Sequence, residues 1–385
     1  MKITSTISYV GVNDHEIDLF EGQYIVPNGM AYNSYVIEDE RVAVMDSVET
    51  RFSAEWLDKI RAVLGDRPAD YLIVQHMEPA HSGSIAVFMT AYPQATVVAP
   101  QKAFSMMSQF FGTDFADRCV IAGEGATLSL GSRELKFFTA PMVHWPEVMM
   151  TWDEKEKVFF SADAFGKFGA LDTEEEWTDE ARRYYFGIVG KFGAAVQTLF
   201  RKIAALDIGT ICPLHGPVLS QNLGYYLEKY QTWSSYGVED EGVVIACASI
   251  YGNTMNAAKL LRDKLLACGC PRVVLIDLAR EDWSKAVENA FRYGKLVLAA
   301  SSYNGSVFPF MQQFIWHLAE RSYQKRKIAL VENGTWAPTA GKTMMRLLEG
   351  CRDLSFAKNT VTIRSVLNSE SEAALDALAK ELCEK

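Results

Sequence analysis

The stretch VVIACASIYGNTMNAAK, residues 243–259, opens the more regular part of the chain. An apolar, β-branched run gives way to a short polar loop with one glycine, and helix-forming residues follow at once. The same order repeats, because each of five strand-like runs is followed by a helix-length segment. Five such units predict a doubly wound parallel sheet of the α/β class. The runs are Val243–Cys247, Val273–Ile276, Leu296–Ala300, Ile328–Val331 and Val361–Ile363.

Three loops at the carboxyl ends of these strands have the composition of a cofactor site. The first can hold a phosphate on backbone N–H groups at a helix start, and the chain lacks the glycine patterns of dinucleotide and triphosphate sites. The other two join Asn-Gly turns to an aromatic residue, which suits a flat heterocycle, although either aromatic alone could simply pack beneath its loop. The candidate residues are Ser249, Ile250, Tyr251, Gly252, Asn253 and Thr254, then Ser302, Tyr303, Asn304 and Gly305, then Asn333, Gly334, Thr335 and Trp336.

The length of the chain indicates two domains, and its composition indicates a reducing compartment. A chain of 385 residues exceeds one comfortable core, and the acidic, glycine-containing stretch SSYGVEDEG marks a boundary between residues 1–237 and 238–385. The net charge of −10 argues against nucleic-acid or membrane binding. The N-terminus lacks a signal-peptide pattern, and the seven cysteines form no CxxC pair. We therefore expect a cytoplasmic protein with reduced thiols.

The first part mixes strand-like runs with helical patterns, and we expect Thr178 to cap a helix beginning at Asp179. Polar loops after its strands contain metal-ligand side chains. The stretch QHMEPAHSGS is the densest of these loops, yet Ala80 stands where a further polar group is expected. Imidazole and carboxylate without thiolate suit iron, manganese or zinc, so residue type leaves the metal open. His15 and His317 lie outside such loops and are interpreted as structural. The candidate ligands are His76, Glu78, His81, His144, Asp163 and His215.

The motifs HMEPxHSGS, VHWPE, SADAFG and PLHGP, followed by SIYGNT, resemble those of the flavodiiron proteins across essentially the whole chain. The resemblance implies a metallo-β-lactamase-like αββα sandwich, then a flavodoxin-like domain that binds FMN. It also implies that His76, Glu78 and His144 hold one iron, that His81 and His215 hold the other, and that Asp163 bridges them. The family motif reads HxExDH, and Ala80 replaces its aspartate ligand.

The function implied by the resemblance is reduction of dioxygen to water, or of nitric oxide to nitrous oxide, at the diiron site with electrons from FMN. The family works as a head-to-tail homodimer or a dimer of dimers, supplied by an external donor such as rubredoxin or a reductase. Because a methyl group cannot ligate, we expect the second iron to be under-occupied and activity to be lowered. Two alternatives stay open: a zinc metallohydrolase, and an FMN electron carrier with an inert metal site.

Overall fold

The structure is a computed structural model in which residues 1–384 are described. The chain divides into two compact units, Met1–Tyr230 and Gln231–Lys385. Within the described residues, the longest helices have 15 residues, and none is long and apolar enough to cross a membrane.

The first unit begins with a six-stranded sheet in the order β1-β6-β7-β8-β9-β10. Its strands β7 to β10 run parallel, so helices must return the chain between them. The strands are β1 (Ile7–Tyr9), β2 (Val12–Asp14), β3 (Leu19–Phe20), β4 (Tyr24–Ile25), β5 (Met30–Tyr32), β6 (Tyr35–Ile37), β7 (Ala43–Met45), β8 (Tyr71–Ile73), β9 (Thr96–Ala99) and β10 (Cys119–Ile121). The helices are α1 (Ser53–Leu64), α2 (Pro79–Ser82), α3 (Ile85–Ala91) and α4 (Gln101–Phe111).

A second sheet of five strands completes the sandwich in the order β11-β12-β13-β14-β15. Alternate residues of both sheets, such as Ile37 and Met45 from the first and Phe137 and Phe160 from the second, form one apolar core. The predicted αββα class is therefore confirmed. The strands are β11 (Thr127–Ser129), β12 (Glu134–Thr139), β13 (Met149–Asp153), β14 (Val158–Phe160) and β15 (Thr210–Cys212), and the helices are α5 (Trp177–Tyr184) and α6 (Gly193–Ile203). Helix α7 (Leu223–Ser234) continues past Tyr230, the last residue of the first unit.

The predicted cap at Thr178 is wrong. Helix α5 begins at Trp177, two residues before the predicted start at Asp179, and follows Glu176, whose side chain makes no capping hydrogen bond. Thr178 is instead buried in the first turn, where its hydroxyl lies 2.6 Å from the hydroxyl of Tyr225. A tertiary contact therefore satisfies the side chain that local sequence had suggested for capping.

The second unit is a parallel sheet in the order β17-β16-β18-β20-β21, with β22 also paired to β20. From β16 the chain passes to β17 on one side, and it then returns to β18 on the other side of β16. This reversal of direction makes the sheet doubly wound and of the flavodoxin type, as predicted. The strands are β16 (Asp240–Ala248), β17 (Val273–Asp277), β18 (Tyr293–Tyr303), β19 (Ser306–Val307), β20 (Lys327–Asn333), β21 (Ser355–Phe356) and β22 (Val361–Ile363). The helices are α8 (Asn253–Ala267), α9 (Trp283–Arg292), α10 (Pro309–Glu320), α11 (Ala340–Leu347) and α12 (Ser369–Cys383).

Candidate metal centre and flavin pocket

The six candidate ligands of the first unit come from segments that follow strands. His76 and Glu78 lie in the loop after β8, and His81 lies in the short helix α2 that continues from it. Asp163 follows β14 and His215 follows β15, a strand that pairs with β14 in parallel, so both side chains leave the same edge. The remaining candidate, His144, lies in the loop between β12 and β13. All six are buried.

Four of these side chains form the first group. Nε2 of His76 lies 3.2 Å from Oδ2 of Asp163, and Nε2 of His144 lies 3.1 Å from the same oxygen. Oε2 of Glu78 lies 3.2 Å from Nε2 of His144. One ligand atom from each of the four residues lies within 4.8 Å of the others. Two imidazoles and two carboxylates thus converge on one small volume.

The second group uses the other oxygen of the same aspartate. Oδ1 of Asp163 lies 3.2 Å from Nε2 of His81 and 3.9 Å from Nε2 of His215. The two imidazole nitrogens lie only 3.0 Å apart. Asp163 therefore faces both groups at once, with one carboxylate oxygen directed toward each.

Hydrogen bonds made by Nδ1 of two histidine rings determine which ring nitrogen is available as a metal ligand. Nδ1 of His76 lies 2.8 Å from Oε1 of Glu147, and Nδ1 of His215 lies 2.7 Å from the carbonyl oxygen of Ala31. An acceptor in each case requires the proton on Nδ1, so the lone pair of the neutral ring is on Nε2. Both lone pairs point into the ligand groups, as they do in metal sites with oriented imidazoles.

The electrostatics of the two groups fit a pair of bound cations. Burial tends to raise the pKa of Asp163, but His76 and its neighbours lower that pKa well below its usual range. Neither oxygen of Asp163 accepts a well-directed hydrogen bond from the described residues. Burial, and then the charge on His81, lower the pKa of His215 to about 4, so this ring is neutral near pH 7. In the first group, Asp163 and Glu78 outweigh burial and raise the pKa of His144 to about 9, so a metal ion entering there would replace a proton. Carboxylate oxygens and imidazole nitrogens together are a donor set for metal ions.

The two groups have unequal ligand sets, and Ala80 lies beside the smaller one. It lies in α2, next to His81, and is 7 % exposed. Its methyl group carries no lone pair, so the second group has three ligand side chains where the first has four. A set of two histidines and one carboxylate leaves coordination positions open.

Several buried residues that support this centre were missed by the sequence analysis. Glu147 belongs to the motif VHWPE, but nothing in the motif shows that it reaches His76. Asp46, which follows β7, accepts hydrogen bonds from the backbone nitrogens of Gln75 at 2.7 Å and His76 at 3.3 Å. Burial raises the pKa of Asp46 to about 6. The Tyr184 ring packs on His215, with ring centroids 5.6 Å apart.

A glutamate at the tip of the β3–β4 hairpin was also missed. Glu21 has a left-handed backbone, with φ of 49°. Its side chain is exposed at the surface. Even so, loss of hydration next to neighbouring atoms and the negative charge of Glu78 raise the pKa of Glu21 to about 7. By contrast, His15 pairs with Asp172 at the surface, and His317 stacks on Trp283 with ring centroids 3.8 Å apart. Neither histidine joins a ligand group.

In the second unit, the three predicted loops line one pocket at the carboxyl edge of the sheet. Gly252 precedes the first residue of α8 and has φ of 94°, a conformation that favours glycine, and a Cβ there would meet open space. The first turn of α8 therefore presents its backbone N–H groups to the pocket. Tyr251 and Trp336 are 95 % and 92 % exposed, so their ring faces are free to stack on a flat ligand.

Of the fourteen predicted loop residues, all but Gly252 line this pocket. Four further residues line the pocket: Ser301, which begins the second predicted loop, and Ala337, Thr339 and Ser365, which were missed. Ser365 follows β22 and connects the loops, because its backbone nitrogen donates to Oδ1 of Asn333 at 2.9 Å and its hydroxyl lies 3.2 Å from Nδ2 of Asn253. The position of the fifth strand end beside the fourth was the signal that could have identified it.

Comparisons with known proteins agree with both halves of this description. Residues 30–216 match the family model described as ODP family beta lactamase. A nitric oxide reductase from Moorella thermoacetica is 29 % identical over 96 % of this chain and 94 % of its own length. Two solved structures have the same fold with a TM-score of 0.93: rubredoxin oxygen:oxidoreductase from Desulfovibrio gigas and the flavodiiron protein from Giardia intestinalis. The first is 23 % identical and covers 100 % of this chain and 97 % of its own, and the second is 24 % identical and covers 99 % and 95 %.

Fold and site together define a two-part protein with a β-lactamase-like metal-binding unit and a flavodoxin-like unit. The resemblance to the flavodiiron proteins that the sequence motifs indicated is therefore confirmed.

The contact between Glu147 and His76 gives a first prediction. Replacing Glu147 with glutamine keeps an acceptor for Nδ1 of His76 but removes the negative charge that makes this ring a stronger ligand. We expect Glu147→Gln to weaken iron retention by roughly tenfold. Iron released to a chelator over time measures it, with Glu154→Gln, an exposed glutamate in the same unit, as the control. Equal release from Glu147→Gln and wild type would contradict this role.

Proposed function

We propose that this protein is an oxidoreductase in which FMN passes electrons to a non-haem diiron site that reduces dioxygen to water, nitric oxide to nitrous oxide, or both. The observation that carries the proposal is the carboxylate of Asp163, whose two oxygens each face a separate group of imidazoles. The proposal assigns the metal chemistry to residues 1–237 and the flavin chemistry to residues 238–385. Both belong to a cytoplasmic protein.

The metal ligands in this proposal are the six residues of the two groups. His76, Glu78 and His144 would hold one iron, His81 and His215 would hold the other, and Asp163 would join them. When bound, the irons supply adjacent open positions for the gas molecules and the FMN supplies electrons one at a time.

The surrounding residues of the chain hold the ligands in place. Glu147 and the carbonyl of Ala31 orient two of the imidazoles by accepting from Nδ1. Asp46 fixes the backbone at the start of the ligand loop. Since these partners are buried, they restrict the rotation of the ligand side chains.

The flavin residues in this proposal are the fourteen that the sequence indicated. The first turn of α8, with Ser249 and Thr254, would bind the phosphate through N–H and hydroxyl groups. The loops around Asn304 and Gly334 would bind the edge of the ring, and Trp336 would stack on it. One phosphate loop and no second pyrophosphate motif favour FMN over FAD.

The most direct check of cofactor content is iron, zinc and flavin measured on one purified sample. We expect FMN together with iron, and reoxidation of the reduced protein by dioxygen or nitric oxide. Full occupancy by zinc with esterase turnover would instead favour a metallohydrolase. Bound FMN without reoxidation by either gas would favour an electron carrier.

The asymmetry at Ala80 gives the second prediction. Restoring a carboxylate by Ala80→Asp adds one charge and one coordination bond to the weaker group, so iron content per chain and gas-reducing turnover should both rise. Iron titration and single-turnover reoxidation measure the two effects. Ala91→Asp adds the same charge to an exposed position at the end of α3 and serves as the control. Equal iron content, retention and rates in Ala80→Asp and wild type would remove support for the second iron assignment.

The exposed indole at the flavin pocket gives the third prediction. Removing a stacking aromatic costs about 1–3 kcal/mol in other ring-binding sites, so Trp336→Ala should weaken FMN binding by roughly tenfold or more and alter the flavin spectrum. Flavin fluorescence titration of the apoprotein measures this. Trp316→Ala removes an indole that is 55 % exposed and does not line the pocket, and it should bind FMN like wild type. Unchanged affinity in Trp336→Ala would exclude stacking.

The fourth prediction concerns assembly. Tyr251 and Trp336 present large apolar surface beside the flavin pocket, as residues covered by a partner do. This supports a head-to-tail homodimer, or a dimer of dimers, in which the FMN of one subunit serves the irons of another, with rubredoxin or a reductase as external donor. Dilution to monomer should leave FMN bound but slow iron reduction, which sedimentation and stopped-flow absorbance can follow together. A monomer that reduces its own irons rapidly would contradict this arrangement.

A further inference from the structure

Three of the seven cysteines lie together in the second unit, outside both sites described above. Cys268 directly follows α8, Cys270 lies two residues further, and Cys383 is the last residue of α12. Cys268 is exposed, and the other two are partly exposed. Oxidants in solution can therefore reach this cluster, unlike the fully buried Cys212 and Cys247.

One backbone carbonyl brings the end of α12 to the end of α8. The oxygen of Leu265 accepts from the backbone nitrogen of Cys270 at 3.0 Å and from Sγ of Cys383 at 3.7 Å. Burial raises the pKa of Cys383, and the neighbouring thiols of Cys268 and Cys270 raise it further, Cys268 also through a hydrogen bond. The two hydrogen bonds to Leu265 thus place Cys383 beside the turn that carries Cys268 and Cys270, whereas Sγ of Cys270 lies 3.2 Å from the carbonyl oxygen of Arg272.

The cluster borders a groove at the amino ends of the strands, whereas the flavin pocket lies at their carboxyl ends. Cys270 and Cys383 line this groove together with residues at the amino ends of β16 and β18, including Gly242 and Lys295. Nζ of Lys295 donates to the carbonyl of Leu382, which holds the last turn of α12 in place. The flavin loops leave the carboxyl ends of the same strands, so chemistry at the cysteines is remote from the flavin pocket.

We propose that Cys268 and Cys383 form a peroxide-sensitive thiol pair that closes to a disulfide between the ends of α8 and α12. The inference is independent of the proposed function, because it uses neither the metal ligands nor the flavin loops. The oxidant is a hydroperoxide, with hydrogen peroxide as the simplest member of the class.

The exposed thiol of Cys268 is the first to react. Its thiolate attacks one oxygen of the peroxide, the O–O bond breaks, and one water leaves after protonation, so the sulfur carries a hydroxyl group. The thiol of Cys383 then gives its proton to solvent and attacks that sulfur. The S–O bond breaks, the hydroxide leaves as a second water, and the S–S bond forms. Two thiols are oxidised by two electrons in all, and one peroxide is reduced to two waters.

The disulfide would join two helices that already pack on the same side of the sheet. Leu261 and Leu265 of α8 and Leu378 and Leu382 of α12 belong to one apolar cluster. A link from residue 268 to residue 383 closes a long loop and restricts the unfolded chain, so oxidation should stabilise the second unit. Flavin binding at the other edge of the sheet should not change.

The test uses the full-length protein with its cofactors, treated with hydrogen peroxide and then alkylated, digested and mapped by mass spectrometry. We expect a disulfide-linked peptide pair containing Cys268 and Cys383, loss of two free thiols per chain, and unchanged flavin content. Reduction with dithiothreitol should restore both thiols. Cys351→Ser, a control in the same unit, should form the same linkage.

Two variants separate the steps. Cys383→Ser should stop at the first step and leave a sulfenic acid on Cys268 that dimedone traps, whereas Cys268→Ser should give no linked peptide. Flavin content reports that each variant is folded. The proposal is overturned if Cys268 and Cys383 stay reduced while the peroxide is consumed, if the linkage forms through Cys270, or if zinc binds the cluster and protects its thiols.

Discussion

The buried carboxylate of Asp163 is the interaction on which the arrangement of the first unit depends. Its two oxygens face different pairs of imidazoles, so any change in its position affects both groups together. The loop that carries it has left-handed backbone at Ala162 and Phe165, with φ of 49° and 67°. Such conformations cost roughly 1–3 kcal/mol each. The hydrogen bond from the hydroxyl of Ser161 to the carbonyl of Ala164, at 2.7 Å, helps to hold this loop.

The number of carboxylates in each ligand group explains why an alanine at position 80 would weaken the binding of the second metal ion. Buried carboxylates are costly in a dry interior unless cations compensate their charge. The first group has two carboxylates, while the second has only the shared carboxylate of Asp163, and Ala80 adds no ligand to it. A cation in the second group is therefore held by less charge and fewer bonds. The proposed lower occupancy of the second iron follows from this difference alone.

Sequence patterns predicted the features that depend on local order along the chain. Loops after strands are recognisable from periodicity, so His76, Asp163 and His215 could be selected before their contacts were known. Glu147 and Asp46 could not, because their importance comes from buried partners contributed by other strands. The prediction that Thr178 caps α5 was wrong for a related reason. Its hydroxyl forms a hydrogen bond with Tyr225, which lies 47 residues away, and this contact competes with local capping.

The shared carboxylate is tested most directly by the iron content of Asp163→Asn, compared with His215→Ala and with the exposed-site control Asp207→Asn. If Asp163 joins the two irons, Asp163→Asn should lose both, His215→Ala should lose the second and keep the first, and the control should match wild type. Circular dichroism on the same samples establishes that each variant is folded. A folded Asp163→Asn protein that retains either iron at the wild-type level would contradict the account.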